Sequence, residues 1–352
     1  MRVQGSAALI TIMLSLALVG CENSTGTDQV TGDWLIPIDQ IFDGGPGRDG
    51  IPALTNPELI GAAGAAYLED ADLVIGLKIG NEARAYPHAI LDWHEIINDD
   101  VNGTQFSITY CPLTGSGIAW NRVINGTPTT FGVSGLLYNT NLIAFDRLTN
   151  SNWSQMKLQC VNGPLSGTSI STYQIVETTW ETWKEMYPQT KVVSSNTGHS
   201  RPYGQYPYGD YQTSGSLLFP ISNDDTRLPR KERVHGVIVR ERTKVFRINS
   251  FADDIDVVND LFNDVALVVA GSRAKNLVVV YERKLDDGTL LSFTPIQNAS
   301  LPVVMTDTEG TRWDIFGRAV SGQRVGTELK PVRSYVAYWF AWGAFFPGAE
   351  IY

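Results

Sequence analysis

Cysteine is scarce in this chain: three in 352 residues, at positions 21, 111 and 160. None forms a Cys-x-x-Cys pair, and the four histidines form no His-x-x-x-His pattern, so spacing alone gives no metal-binding motif. No Gly-x-Ser-x-Gly elbow lies between a strand and a helix; Gly115-Ser-Gly117 is too short a match, which disfavours a serine hydrolase. A glycine-rich phosphate loop is also missing, which leaves nucleotide binding unsupported. Positive charge is short as well. Lys and Arg number 27 against 37 Asp and Glu, a net charge of −10. That disfavours nucleic acid as a partner, since phosphates call for a basic surface, but it leaves room for a local basic pocket. Beyond the N-terminal segment, no apolar run is long enough to span a bilayer.

An apolar content of 43% suits a globular protein with a real core, and the length suits two domains or one large one. The first residues read as a targeting signal: Arg2 supplies a short positive region, and Ala7 to Val19 is mostly apolar but short for a membrane span. The segment ends in Leu18-Val-Gly-Cys21, which looks like a bacterial lipobox. The expectation is therefore a signal peptide over residues 1–20, lipidation of Cys21, and a polar tether over residues 21–33. The alternative is an ordinary secretory signal with a chance cysteine. On the lipobox reading the protein is an extracytoplasmic lipoprotein held to the membrane by its lipid, in a compartment where disulfides can persist.

The centre of the chain is the stretch from Trp93 to Gly117. It brings together His94, Glu95, an Asn-Asp-Asp-Val-Asn-Gly turn, an alternating strand and Cys111 followed by Pro112. Phe106, Ile108 and Tyr110 face one way, and Ser107, Thr109 and Cys111 the other. Cys111 thus stands where a strand gives way to a loop, a common place for functional groups. Upstream, Leu73–Gly80 and Ala83–Tyr86 read as a hairpin around Asn81-Glu82, Pro87 to Asn98 as a short helix, and Asn56 to Tyr67 as room for another. Downstream, strands follow at Gly117–Arg122, Thr129–Ser134 and Leu142–Arg147, and then a helix carrying Trp180 and Trp183. Gly198 to Tyr211, rich in Tyr, Gly and Pro, reads as an ordered loop packing across the lobes, in which Arg201 and Tyr203 could reach a ligand. Thr226 to Arg233 reads as a basic, exposed linker.

The second half repeats the first at a near-constant spacing of about 160 residues. Gly76 matches Gly236, Arg84-Ala-Tyr86 matches Lys244-Val-Phe246, and Asp99 matches Asp260. Phe131, Asp146 and Trp153 match Phe293, Asp307 and Trp313; Trp180 and Trp183 match Trp339 and Trp342. The reactive groups do not recur: His94 meets Ile255, Glu95 meets Asp256, Cys111 meets Ser272 and Cys160 meets Ala319. The fold expectation is an α+β, β-rich protein of two tandem, structurally related lobes produced by an internal duplication. Residues 34–195 form the first lobe, with the site; residues 196–233 the connector; and residues 234–352 a structural second lobe.

The chain resembles the bacterial and archaeal proteins grouped as domain of unknown function 3179 (DUF3179). The matching stretches are Asp49-Gly-Ile-Pro-Ala-Leu54, Glu82-Ala-Arg-Ala-Tyr-Pro87, Trp93-His-Glu-Ile-Ile-Asn-Asp99, Thr109-Tyr-Cys-Pro-Leu-Thr-Gly115, Thr130-Phe-Gly-Val-Ser-Gly-Leu-Leu-Tyr-Asn139, Trp153-Ser-Gln155 and Trp339-Phe-Ala-Trp342. Members often read Cys-Pro-Leu-Cys-Gly at this loop, some with selenocysteine in the thiol motif, so the resemblance implies redox chemistry in those members. Here Thr114 takes the second position, which removes a local Cys-x-x-Cys disulfide but leaves a hydroxyl able to bond a Cys111 thiolate.

Three functional readings remain open. In the first, Cys111 carries thiol redox chemistry, with His94 as its cationic partner, Glu95 orienting it, Cys160 as the resolving thiol, and a small molecule or protein as redox partner. In the second, Cys111, His94, Glu95 and Cys160 or His199 hold a single copper or zinc ion. In the third, Cys111 and Cys160 form a structural disulfide and the protein is a non-catalytic module binding a small ligand in a cleft between the two copies. Thr114, Arg201 and Tyr203 are the candidate ligand-contacting residues.

Overall fold

A computed structural model describes residues 32–296 and 300–352. The expected signal peptide, the lipidation site Cys21 and the tether as far as residue 31 lie outside the described residues. The protein is β-rich and built from several separate sheets. Among the described residues it has three α-helices of seven residues each: α1 (His88–His94), α2 (Trp180–Met186) and α3 (Trp339–Phe345). No helix among them is long and apolar enough to cross a membrane.

Three five-stranded sheets and a two-stranded one, Val123–Ile124 with Thr127–Pro128, make up the first half. The hairpin Leu73–Ile79 and Glu82–Pro87 lies between Val176–Thr179 on one side and Lys191–Val193 and Leu59–Gly61 on the other. Thr104–Cys111 is the middle strand of the second sheet, paired antiparallel with Ile96–Val101 and Ser116–Asn121. The third sheet runs Ile41–Asp43, Phe131–Tyr138, Asn141–Asp146, Asn152–Ser154 and Gln159–Asn162. The alternation along Thr104–Cys111 divides two cores, as the sequence suggests. Phe106, Ile108 and Tyr110 join one apolar cluster, while Cys111 joins another that includes Trp120, Trp153 and the α3 tryptophans. Both faces are buried, so the polar set must be bonded internally: Ser107 donates to Asn98 Oδ1 at 2.7 Å, and Thr109 to the Ile118 carbonyl at 3.0 Å.

The second half contains three four-stranded sheets whose strands follow the same order. Ser334–Tyr338, Arg233–Val239, Arg242–Arg247 and Glu350–Ile351 follow the order of the first four strands of the first sheet, down to a parallel pairing, Glu350–Ile351 with Arg242–Arg247 as Lys191–Val193 with Glu82–Pro87. Individual contacts recur too. Asn98 brackets the Phe131 backbone with bonds of 2.8 and 2.9 Å, and Asn259 brackets Phe293 with bonds of 2.8 and 2.7 Å. Trp153 Nε1 donates to Asp146 and Trp313 Nε1 to Asp307, both at 3.0 Å. Arg84 pairs with Asp99 and Lys244 with Asp260, each at 2.7 Å.

The structure departs from the sequence expectations in places. The helix expected over Pro87–Asn98 stops at His94, because Ile96–Val101 is claimed by antiparallel pairing with Thr104–Cys111. The turn expected from Asn98 is confined to Asn102-Gly103, both at positive φ. Asn56–Tyr67 holds the short strand Leu59–Gly61 and a single 3-10 turn over Ala62–Gly64. The basic linker is not free cation: Arg227 and Arg230 pair with Asp225 and Asp224, and Arg233 turns inward onto Glu177.

Each tryptophan-bearing helix rests on a glycine. A Cβ on Gly76 would lie 2.1 Å from the Trp183 ring, and one on Gly236 would lie 2.2 Å from the Trp342 ring. Both rings are fully buried and cannot retreat without opening the core. Gly76→Ala and Gly236→Ala should each destabilise the protein by about 1–3 kcal/mol or more through overpacking. The measurement is urea unfolding followed by tryptophan fluorescence; a midpoint unchanged in either variant would contradict the close approach.

Candidate functional site

The site begins where α1 ends. Glu95 takes φ 55°, ψ −33°, a region that non-glycine residues rarely adopt, at a cost on the order of 1–3 kcal/mol. Its N–H closes the helix on the Leu91 carbonyl at 2.8 Å, and its own carbonyl accepts from Tyr110 N–H at 2.7 Å. The reversal sends neighbouring side chains to different environments.

His94 is held on the connector side. Its Nδ1 faces the Pro52 carbonyl at 2.7 Å, which can only accept, so Nδ1 carries the proton. Nε2 then accepts from the Tyr203 hydroxyl at 2.6 Å, and Tyr203 in turn accepts from Thr197 at 2.5 Å. Burial depresses the imidazole pKa to about 4, so this is a neutral ring with both nitrogens engaged. It has no cationic character at neutral pH to offer a thiolate. Arg201 is exposed, with its guanidinium over the Trp93 ring at 5.7 Å, and Tyr203 is occupied with His94.

Glu95 points the other way, into an apolar cavity of about 240 Å³. The walls are Ile51, Leu113, Val133, Leu136, Leu137, Leu142 and Phe219, with the backbone of Gly44, Pro46 and Gly135 at one end. A β-bulge between Val133 and Leu136 builds this wall. Gly135, at φ 82°, lets the strand press against Gly47, and Ser134 turns back to the Ile143 carbonyl. Tyr208, from the connector, lines the same cavity beside Glu95. Burial, with the nearby Asp92 carboxyl as a second cause, pushes the Glu95 pKa up to about 8; burial alone does the same to Asp92.

Cys111 lies close to this carboxyl. Burial, with Glu95 adding to it, pushes the thiol up to about 11, against weaker help for the thiolate from Thr114. Its sulfur donates to the Thr140 carbonyl at 3.7 Å. Thr114 belongs chiefly to a buried network, bonded to Ser116 at 2.8 Å and to Asn141 Nδ2 at 2.9 Å, with Gln155 beyond. The connector clamps the turn after Cys111: Tyr206 donates to the Pro112 carbonyl at 3.1 Å and Tyr211 to the Leu113 carbonyl at 3.0 Å. Gly115 passes under the Tyr338 ring of the second half.

The metal and disulfide readings therefore need correction. Among the described residues no group of three or more His, Cys, Asp or Glu side chains is arranged to hold a metal ion, because His94 is turned away and committed to Pro52 and Tyr203. Cys111 and Cys160 are both free thiols; Cys160 donates to the Asn162 carbonyl at 3.3 Å, and its pKa too is raised to about 11 by burial. The Glu95 cavity is not the expected cleft, since its lining comes from the first half and the connector with no residue beyond Phe219; a separate cleft of about 180 Å³ does lie between the halves, lined by Leu77, Tyr173, Tyr281, Phe316 and Leu329. Tyr208, Phe219 and Asp92 were missed as site residues. The Tyr, Gly and Pro-rich composition of Gly198–Tyr211 was the one signal pointing toward Tyr208.

The model of one protein family, described as a protein of unknown function (DUF3179), matches residues 48–349. This chain belongs to that family. No curated protein and no solved structure matches it. The matched span of this DUF3179 protein holds the whole α1–Cys111 unit and all of the cavity lining except Gly44 and Pro46.

The two raised carboxyls set the pH dependence of stability in this DUF3179 protein. Folded Glu95 and Asp92 keep their protons to about pH 8, whereas the unfolded chain loses them near 4.5 and 3.8, so each costs stability as pH rises toward 8. His94 and His235, lowered by burial from 6.5 to about 4, oppose this below pH 6.5, where the unfolded chain binds the extra protons. Between pH 6.5 and 8 the carboxyls dominate, opposed toward the upper end by Lys231, which burial lowers to about 8, and stability should fall by up to about 1.4 kcal/mol per pH unit per group. Urea unfolding across that window should show the fall, and Glu95→Gln should roughly halve the slope. An unchanged slope in the variant would mean that Glu95 titrates normally.

Proposed function

We propose that this protein is a lipid-anchored, extracytoplasmic module that binds a small, mainly apolar ligand in the cavity beside Glu95. The observation that carries the reading is the cavity itself, with seven apolar side chains around one buried carboxyl and one tyrosine hydroxyl. Ligand sites are mostly apolar walls with a few placed polar groups. An apolar cavity of roughly 150 Å³ already suffices to take up benzene, so about 240 Å³ admits a somewhat larger body. Redox catalysis at Cys111 is the weaker reading. A thiol raised to about 11 is a poor source of thiolate at neutral pH, and its closest charged group is a carboxyl, which adds to the effect.

Two further parts of the reading concern origin and location. An internal duplication accounts for the matched strand orders and for the paired Gly–Trp, Asn–Phe and Asp–Trp contacts. On that account the second half is a structural partner, and the ligand site belongs to the first. Anchoring rests on the apolar segment Ala7–Val19 followed by Leu18-Val-Gly-Cys21. In a bacterial host the full chain should fractionate with membranes and take up labelled fatty acid, and Cys21→Ser should abolish both. Labelling of the variant at the wild-type level would refute lipidation at Cys21.

Binding is tested with ethylbenzene as an apolar probe. At a concentration tenfold above its Kd it should raise the unfolding free energy by about 1.4 kcal/mol. Val133→Phe, which fills the cavity from its wall, should remove that increment while unfolding stays cooperative. An equal increment in the variant would place binding elsewhere.

A further inference from the structure

We infer that the ligand of the Glu95 cavity is a neutral molecule carrying a single hydrogen-bond acceptor, such as a carbonyl or ether oxygen, which receives the Glu95 carboxyl proton. This rests on the binding reading above and adds the chemistry of the ligand's polar end.

The argument starts from what the carboxyl has around it. Glu95 is only 6% exposed, and its polar neighbours in the cavity reduce to Tyr208. Among the described residues no Lys or Arg forms an ion pair with it, and the titratable groups acting on it besides Tyr208 are the Asp92 carboxyl and the Cys111 thiol. Tyr208 and a protonated Glu95 carry one O–H each, so a bond between them, whichever way it runs, leaves one O–H over. The pair therefore has one O–H donor to place, and the remaining side chains of the lining are aliphatic or aromatic.

Ligand classes separate on cost. An anionic head would meet a carboxyl with no protein cation nearby and is excluded by repulsion and desolvation. An ammonium would have to be stripped of water in an apolar cavity with one hydroxyl and one carboxyl to receive three N–H donors, and the carboxyl would have to ionise first. A bare hydrocarbon would fill the volume but leave the O–H donor unmatched. A neutral acceptor meets the donor already present and needs no change of charge. Because burial raises Glu95 to about 8, the donor state holds through neutral pH and is lost above it. Binding is then proton-linked: affinity falls as pH rises through about 8.

The test compares four probes of similar size on the full protein by calorimetry or ligand-observed NMR: ethylbenzene, acetophenone, phenethylamine and phenylacetate. Acetophenone should bind about tenfold tighter than ethylbenzene at pH 7, the worth of one net hydrogen bond. Its affinity should drop by about tenfold between pH 7 and 9, following the protonated fraction of Glu95. Glu95→Gln, which keeps a neutral donor without a titration, should retain acetophenone binding and lose the pH dependence. Phenethylamine binding tightest, with affinity rising with pH, would overturn the inference in favour of a cationic ligand. Equal, pH-independent binding of ethylbenzene and acetophenone would overturn it while leaving the apolar-ligand reading intact. Failure of all four to bind would overturn both.

Discussion

The reversal of the backbone at Glu95 is the constraint on which the rest of the site depends. A helix must stop there and a strand must start within one residue, because Ile96–Val101 is fully paired with Thr104–Cys111. The bond from Tyr110 N–H to the Glu95 carbonyl ties the end of the helix to the end of that strand, one residue before Cys111. His94 and Glu95 therefore cannot share an environment. One ring is locked to the connector through Tyr203, and one carboxyl is driven into the apolar cavity. A relaxed turn would leave both at the surface, where neither pKa would move far from its ordinary value.

Much of the framework was legible from the residues. The Asn81-Glu82 hairpin, the two-faced strand ending at Cys111 and the Trp180–Trp183 helix all appear where alternation and turn residues put them. These are local signals of period two or of helical spacing. The site was less legible, for a physical reason. His94, Glu95 and Cys111 are close in sequence and carry reactive types, so they read as one constellation, yet a single positive-φ residue divides them. The helix over Pro87–Asn98 was overextended for a related reason: Ile96-Ile97 suits either period, and only a partner strand decides between them. Tyr208 and Phe219 reach the cavity from a connector without periodicity, so their inward orientation could not be read from pattern. Arg201 and Tyr203, a few residues away, were the more conspicuous choices and serve the outer side.

Residue type also misled where environment decides chemistry. Cysteine, histidine and glutamate together suggest redox or metal work, but each requires a particular ionisation state. A thiolate needs a neighbouring cation, and the group next to Cys111 is a carboxyl. A metal site needs lone pairs free to converge, and both nitrogens of His94 are spent on Pro52 and Tyr203. Burial pushes the three groups toward their neutral forms: a thiol, a carboxylic acid and an imidazole. Of the three, Glu95 lines the cavity, and a neutral carboxyl in an apolar wall is suited to recognising a neutral, largely apolar molecule.

The contrast with the second half sharpens this argument. On the duplication proposed above, Asp256 matches Glu95; it is half-buried, with Oδ1 accepting from the Val257 N–H at 2.8 Å. A short carboxylate kept near solvent and bonded to its own backbone serves the turn and costs little. Elsewhere this fold is able to bury a carboxylate with full compensation: Arg233 and His88 overcome the burial penalty on Glu177 and hold it at about 2. The fold thus places guanidinium and imidazole groups where a buried charge needs them and places none at Glu95. A leucine there would remove the desolvation penalty, so packing alone gives no reason for a buried carboxyl at this turn. The ligand proposed above, which takes up the carboxyl's proton, would supply one.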